Sequence, residues 1–569
     1  MTKNTILPNT ITPSSLAPHI KKVKIENYKC FGEMFSVEFE NLSTVIVGPN
    51  ETGKSTILEA INLAFSGYIQ GKPVWNILSE SLFNQQAVKD YLLAIKAGVR
   101  IDPPAITIEI YTSDNFPALK GNSNSDNANA YGFAFKISLD ERLRKEYLML
   151  LNQSAILSIP IEYYNISWTD FSRLDHTPRT LPIKTVILNS QSLTTYRGGD
   201  IFLSRVVDDM LAPEDIHSLS QAYRQIHEQF KINSSVVLIN SKLAAPSELF
   251  EESLAISTDL PTAEAWRSSL ITTIDGIPFS QKGLGKQTTL KTKLMLTSKE
   301  IRKCSVILVD EPENHLTYGN MAALVESIIK LCESRQTILV THSSFVLNKI
   351  GLDSLILLSE QKKKMIFPEL SKSTNDYFKK LPGYNTLRLL LSRKTILVEG
   401  PSEELYLQRA YMDNHNGKAP LADGIDVLSV DGLAFLRFLQ LAEPLKLNAH
   451  VVTDNDGDIE SIKKKYEPYL NDDFTQKKES ITIHFPHSTN DRKAFIGLAS
   501  DVEINLNTLE SELYLANEEA TLRKILKLDK HKGHILIWML KNKTECALRI
   551  FESEERITYP EYIMDALSE

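Results

Sequence analysis

The sequence predicts an α/β protein in two successive parts, each built on parallel strands with helices between them. Three observations lead there. STVIV at 43–47 is a short apolar run that passes through a glycine-bearing turn into ILEAINLAF, whose apolar residues recur at helical spacing. SVILVDEP and TILVTHSS are apolar strands that end abruptly in polar residues. After residue 390, KTILVEGPSEELYL, IDVLSV and NAHVVTDNDGD repeat the alternation of strand and helix.

The 569 residues are enough for roughly three to five folding units at about 100–200 residues each. Apolar residues make up 42% and charged residues 24%, an ordinary globular balance. A net charge of -8 does not advertise a nucleic-acid binder, although a local basic groove can sit on an acidic protein. Cys30, Cys304, Cys332 and Cys546 are far apart and form no CxxC pair. That pattern argues against a disulfide scaffold or structural zinc and fits reduced thiols in the cytoplasm. No apolar run approaches the ~18 residues that span a bilayer, so no membrane partner is expected.

In chain order, residues 1–20 are polar, rich in Pro and Ser, and read as a flexible leader. KKVKIENYKCFGEMFSVEFENLSTVIV holds two alternating strands and then a buried one. Residues 103–139 are strand-rich, with GNSNSDNANA between AITIEIY and GFAFKISL reading as an exposed loop. Residues 200–257 turn to helical spacing and read as an insertion between a first part at 21–199 and its continuation at 258–390. The main boundary is expected near 390. A βαβ-like region at 391–515 follows, and 516–569 reads as helical.

Gly48-Pro-Asn-Glu-Thr-Gly53-Lys54-Ser55 fits G-x-x-x-x-G-K-[ST]. Its glycines let the backbone curl, so that N–H groups along the loop and helix start, from Asn50 through Gly53 to Thr56, can face phosphate oxygens. Lys54 is expected on the β/γ-phosphates and the Ser55 hydroxyl on Mg²⁺. ILVDEPENHL ends a strand in Asp310, suited to the Mg²⁺ shell, and Glu311, suited to orient or deprotonate the attacking water. KGLGKQ offers Gly285 and Gln287 just before a helix, a place for a γ-phosphate. His342 ends the next strand, where it could sense the same group. Separately, a glycine-rich turn and a strand-end histidine are ordinary structure.

Taken in this order over roughly residues 20–350, the set resembles the ABC-type ATPases of the SMC and RecF group. The resemblance includes IENYKCFGE, the DEP tripeptide and His342; GLGKQ departs from the usual Ser-Gly-Gly-Gln signature. It implies ATP sandwiched between two heads, hence a homodimer or higher homo-oligomer, with 200–257 as a dimerisation element.

In the last third, one strand ends at Glu399, followed by a glycine and a helix carrying Glu403. HVVTDNDGD ends another strand with Asp454, Asp456 and Asp458. Alternation along an extended segment would send Asp454 and Asp456 to the same side. Carboxylates at the carboxyl ends of neighbouring parallel strands converge on the crevice where such sheets bind ligands. Oxygen ligands of this kind suit Mg²⁺ or Mn²⁺. The competing reading is a set of acidic turns, since Asp, Asn and Gly dominate turns.

Glu399-Gly400 together with Asp454-x-Asp456 resembles the Toprim domain of topoisomerases, primases and OLD (overcoming lysogenization defect) nucleases, over roughly 393–515. An ABC ATPase followed by Toprim is the arrangement of the OLD family, the group that includes the anti-phage Gabija A subunit. The fold class is thus an ABC-type P-loop ATPase head with a helical insertion, then a Rossmann-like Toprim domain and C-terminal helices. The resemblance implies an ATP-gated, metal-dependent DNA endonuclease or nickase with DNA as partner. It makes Glu399 a catalytic metal ligand, and Glu399, Glu403, Asp454 and Asp456 one part of a two-metal site. Glu510 and Glu512 of NTLESELYL would hold the second metal. Lys543 of KNKTECALRIFE, or Lys541 as second choice, would offset charge on the phosphate. Family members often work beside a helicase-like protein or a retron reverse transcriptase.

Two other readings stand beside this one: a RecF-like repair ATPase with a non-catalytic Toprim domain, and a nucleotide-sensing subunit of a larger defence complex. His484-Phe-Pro-His487 reads as a strand-end loop rather than a metal pair. The lysine clusters at 362–364, 463–465 and 477–478 read as solvated surface.

Overall fold

The computed structural model describes residues 18–40, 42–153, 156–189, 211–243, 254–257, 271–297, 301, 303–314, 316–332, 335–352, 355–359, 364–366, 371–381, 383–430, 434–487, 489, 505–528 and 534–568. The expected leader therefore lies almost wholly outside the described residues, as do 200–210 and 244–253 of the expected insertion. The chain divides into two compact units. One takes the described residues up to Thr44 together with Ser55–Thr341; the other takes Val45–Lys54 and His342 onward. Among the described residues no helix is long and apolar enough to cross a membrane.

In the first unit an antiparallel sheet runs in the order Asp175–His176, Tyr164–Asp170, Ala130–Leu139, Ile106–Thr112, Ile20–Glu26, Phe35–Glu38. Ile106–Thr112 has neighbours on both sides and is buried at all seven positions. That burial includes Glu109 and, on the next strand, Lys24, which must find partners. They find them in the segment GNSNSDNANA. Lys24 Nζ donates to Ser125 Oγ at 2.8 Å and pairs with Asp126, while Glu109 accepts from the Ser125 amide at 2.8 Å and its hydroxyl at 2.7 Å. The expected exposed loop is instead pinned at its centre, with Asn124 buried.

Three parallel strands of the same unit, Thr185–Asn189, Val306–Asp310 and Gln336–Val340, align Asn189 with Asp310 and Asp310 with Val340. The buried Gln336 amide ties this sheet to the antiparallel one through two 2.7 Å bonds, to the amide and carbonyl of Ile20. Within the insertion, Pro213–Ile232 and Ser234–Leu243 are helices, with Ile226, Phe230, Ile232, Val237 and Leu238 exposed.

In the second unit, Val45–Val47 run parallel to Leu355–Leu357. A four-stranded parallel sheet follows, in the order Ile425–Ser429, Lys394–Val398, Ala449–Val452, Ile481–His484. The first strand in sequence is thus flanked by the second and third, and the crossovers leave it in opposite directions. This is the switch point at which such sheets open a crevice beyond their carboxyl ends. Helices Leu509–Ala516, Ile535–Lys541, Lys543–Glu552 and Glu561–Leu567 share one core with helix Pro401–Asn414 and the sheet, through Leu513, Met539, Ala547, Ile563, Tyr406 and Ile396.

The described residues of 342–390, which the sequence reading assigned to the earlier domain, belong by contact to this second unit. Thr386 Oγ1 donates to Asn348 Oδ1 at 2.8 Å, and Arg388 forks onto the buried Asp426 carboxylate at 2.8 and 2.5 Å. A bidentate charged contact of this kind is geometry-specific, and removing one partner strands the other. Arg388→Ala is expected to destabilise the protein by about 1–3 kcal/mol, since the guanidinium is partly exposed; urea unfolding checks it.

Candidate functional site

The strand Ser43–Val47 opens into a loop that turns left-handed at Glu51 (φ 65°) and Gly53 (φ 97°). A Cβ on Gly48 would lie 2.6 Å from the Leu358 carbonyl oxygen, so only glycine fits there. Lys54 opens the helix Lys54–Ser66 and is buried; its ammonium donates to the carbonyls of Gly48 (3.0 Å) and Pro49 (2.7 Å). Asn50 and Ser55 are exposed, and Gly53 and Thr56 half-buried.

Ser55 Oγ donates to Asp310 Oδ1 at 2.9 Å. Burial pushes the Asp310 carboxyl up to about 6, with Glu311, Glu313 and Glu59 adding to the effect and the Ser55 bond opposing it. A divalent cation beside Asp310 would reverse that shift. Glu311 sits in a left-handed turn (φ 47°), and its Oε2 accepts from Asn314 Nδ2 at 2.7 Å.

The helix Leu284–Thr297 starts inside KGLGKQ rather than after it, which places Gly285 and Gln287 in its first turn. The reason is local. The amides of Lys286 and Gln287 bond to the Gly283 carbonyl at 2.9 and 3.0 Å, and Gln287 Nε2 reaches back to the Lys282 carbonyl at 2.6 Å. His342 follows strand Gln336–Val340 and is exposed.

The acidic groups of the second unit gather at the crevice. Glu399 leaves the end of strand Lys394–Val398, and its Oε1 accepts from Thr453 Oγ1 at 3.1 Å. Glu403 lies in the first turn of Pro401–Asn414; a Cβ on Gly400 would stand 3.2 Å from its Oε2. Asp454 follows strand Ala449–Val452; its Oδ2 accepts from the Leu509 amide at 3.0 Å and its Oδ1 from the Tyr562 hydroxyl at 3.4 Å. Glu510 is 0% exposed, with Lys543 Nζ 3.0 Å from its Oε2 and no hydrogen-bond partner for Oε1. Burial holds the Asp454 carboxyl well above its usual range, and Glu510, Glu403 and Glu399 push it further. Glu403 is raised by burial and by Glu510, with Lys543 opposing. Burial also lifts Glu512 to about 7, against a hydrogen bond from Tyr562.

Asp456 stands apart. The strand ends at Val452 and Asp456 turns left-handed (φ 48°), so the alternation expected to set it beside Asp454 is broken. It is exposed and accepts from Asn505 Nδ2 at 3.1 Å. Of the two candidate lysines, Lys543 faces the carboxylates and Lys541 is exposed. His484 Nε2 lies 2.8 Å from His450 Nδ1 on the adjacent strand, while His487 stacks on Phe474.

Sequence reasoning missed Tyr562, which touches Asp454 and Glu512 from the helix Glu561–Leu567. It also missed Thr453 and the Leu509 amide. Nothing in ITYPEYIMDAL distinguishes Tyr562 from a core aromatic; only packing brings it to residues so distant in sequence.

Among the described residues no three or more His, Cys, Asp or Glu side chains meet closely enough, as they stand, to hold one metal ion. The donor chemistry nevertheless fits a hard divalent cation: the groups are carboxylates, half-buried or buried and mutually repelling, and the buried Glu510 Oε1 has no hydrogen-bond partner.

Residues 22–195 match the AAA domain family, a stretch that holds the phosphate loop. Residues 390–456 match the family described as overcoming lysogenization defect protein-like, TOPRIM domain, a stretch that holds Glu399, Glu403, Asp454 and Asp456. No curated protein matches the chain. Similar solved structures include the SMC head domain from Thermotoga maritima, at 14% identity over 62% of this chain and 98% of that one, TM-score 0.28. A second is the Smc head domain with an extended coiled coil bound to the C-terminal domain of ScpA, derived from Pyrococcus furiosus, at 12% identity over 64% and 99%, TM-score 0.33. A third is the recombination mediator protein RecF with ATP, at 13% identity over 60% and 95%, TM-score 0.31. The chain thus carries an AAA-type ATPase domain followed by an OLD-like Toprim domain.

Proposed function

We propose that this chain is an ATP-binding DNA endonuclease or nickase that uses Mg²⁺ or Mn²⁺, with nucleotide state gating cleavage, and that it serves in anti-phage defence in the cytoplasm. The observation that carries the reading is a set of mutually repelling carboxylates at the switch point of a parallel sheet, Glu399, Glu403 and Asp454 half-buried and Glu510 fully buried, with Lys543 beside Glu510.

Glu399, Glu403 and Asp454 would hold one divalent ion, and Glu510 and Glu512 a second, with Asp456 at the rim. Such ions supply a nucleophilic hydroxide and stabilise the leaving oxygen. The chain's own groups do the rest. Thr453 and Tyr562 fix the orientation of the Glu399 and Asp454 carboxylates. The ammonium of Lys543 is placed to offset charge on the scissile phosphate. In the ATPase part, Lys54 binds the β/γ-phosphates, Ser55 and Asp310 hold the metal of the nucleotide, Glu311 orients water, and Gly285, Gln287 and His342 meet the γ-phosphate. The exposed apolar residues of Pro213–Ile232 and Ser234–Leu243 support a homodimer or higher homo-oligomer. A helicase-like or reverse-transcriptase partner belongs to the same proposal.

The test is plasmid nicking with Mg²⁺ or Mn²⁺. Wild type and Lys54→Ala are expected to nick and Glu399→Ala to lose nicking. If no metal or nucleotide condition yields cleavage of any DNA or RNA, the reading is wrong. A second reading, an ATPase whose Toprim domain only scaffolds, draws support from the unconverged carboxylates. It predicts DNA-stimulated ATP hydrolysis with no strand breaks.

A further inference from the structure

Glu510 presents a problem that its surroundings solve in an unusual way. It is 0% exposed in the first turn of Leu509–Ala516, and Oε1 has no hydrogen-bond partner. A buried carboxylate in that state needs a compensating positive charge. Lys543, the first residue of Lys543–Glu552, supplies it from 3.0 Å. Glu403 and Asp454 act on the same ammonium: burial lowers its pKa, and Glu510, Asp454 and Glu403 more than reverse this. One lysine thus supplies a single positive charge to several acids, and among the described residues no three of those acids close around a common point.

The Lys543 side chain is 44% exposed, while its partner is fully enclosed. A long side chain anchored at a helix start can swing its head into water at little cost to packing. Glu510 cannot follow it. The ion pair is therefore asymmetric: one half is mobile, and the other is fixed and left without charge compensation when the first departs.

We infer that Lys543 is a resident counter-cation of the acidic cluster, and that a divalent ion enters by displacing its ammonium from Glu510. The inference rests on the metal-site reading above. Two cations that compete for one carboxylate weaken each other's binding by the same factor. Removing the lysine's charge should tighten metal binding, the opposite of what a helper lysine would do. The displaced ammonium becomes free to meet a phosphate only after the ion has arrived, so metal loading and availability of the lysine are linked.

The experiment titrates the full chain, without nucleotide, with Mn²⁺ and reads free Mn²⁺ by its paramagnetic resonance signal. Wild type, Lys543→Met, Lys543→Gln, Lys543→Arg and Glu510→Gln are compared. The Met and Gln variants are expected to bind Mn²⁺ about fivefold tighter or more, Arg to resemble wild type, and Glu510→Gln to lose the site. Equal or weaker binding in the Met and Gln variants, with the site still lost in Glu510→Gln, overturns the counter-cation role and leaves the metal site standing. Absence of any Glu510-dependent Mn²⁺ binding in wild type and the Lys543 variants overturns the metal-site reading and this inference with it. If the Met variant fails to fold, the Gln and Arg pair decides alone.

Discussion

Asp454→Asn is expected to lower metal-dependent strand cleavage at least on the order of 100-fold while raising the melting temperature of the metal-free protein. The two effects share one cause. Asp454 is half-buried, and its ionised form is opposed first by desolvation and then by Glu510, Glu403 and Glu399. Asparagine keeps the shape, its oxygen can accept from the Leu509 amide and its Nδ2 can donate to the Tyr562 hydroxyl oxygen, but it removes the charge. A group that merely orients a metal ligand typically costs 10–100-fold when lost, so a ligand itself costs about that or more.

The sign of the stability effect follows from linkage. An acid whose folded pKa is raised stabilises the native state fully below its unfolded pKa, and that contribution is lost as pH rises through the folded value. Glu512 therefore lowers stability as pH climbs from its ordinary 4.5 through about 7, and Asp310 from 3.8 through about 6. Melts of the metal-free chain are expected to fall across this window and to flatten when Mn²⁺ is added. A melting temperature that rises across the window, or an Asp454→Asn variant that melts lower than wild type, would contradict the account.

Lys54→Ala is expected to weaken ATP binding at least about 30-fold, from the 2–5 kcal/mol typical of a buried charged hydrogen-bonding group lost from a binding site. The buried ammonium already lies against the carbonyls of Gly48 and Pro49, so the loop around it is shaped before nucleotide arrives. Titration with a fluorescent ATP analogue measures the loss. Retained affinity would move the nucleotide elsewhere. Because the acidic cluster lies in a different stretch of the chain, the same variant is expected to keep nicking, and a loss of nicking would mean that cleavage requires bound ATP.

Legibility in the sequence followed how locally each group is defined. The phosphate loop and Asp310 stand in contiguous runs, where a strand, a glycine turn and a helix specify one another. Glu399 and Asp454 were readable as acids ending apolar strands. Glu510 and Lys543 were not readable from their own surroundings, because a glutamate and a lysine on helix faces look like solvated surface. The burial of Glu510 and its pairing with Lys543 arise from helices Leu509–Ala516 and Lys543–Glu552 packing on Pro401–Asn414. Asp456 was misplaced because period-two reasoning was carried past Val452, where the strand ends. The segment GNSNSDNANA has loop composition, and composition does not reveal that buried Lys24 and Glu109 hold it in place.

Tyr562 lies on the last helix of the chain, over a hundred residues beyond the Asp454 it touches. During synthesis, then, the strands that lead to Glu399 and Asp454 emerge long before the hydroxyl that orients Asp454 exists. A half-made chain carries acids without their restraints, and the centre is finished only when the final helix docks.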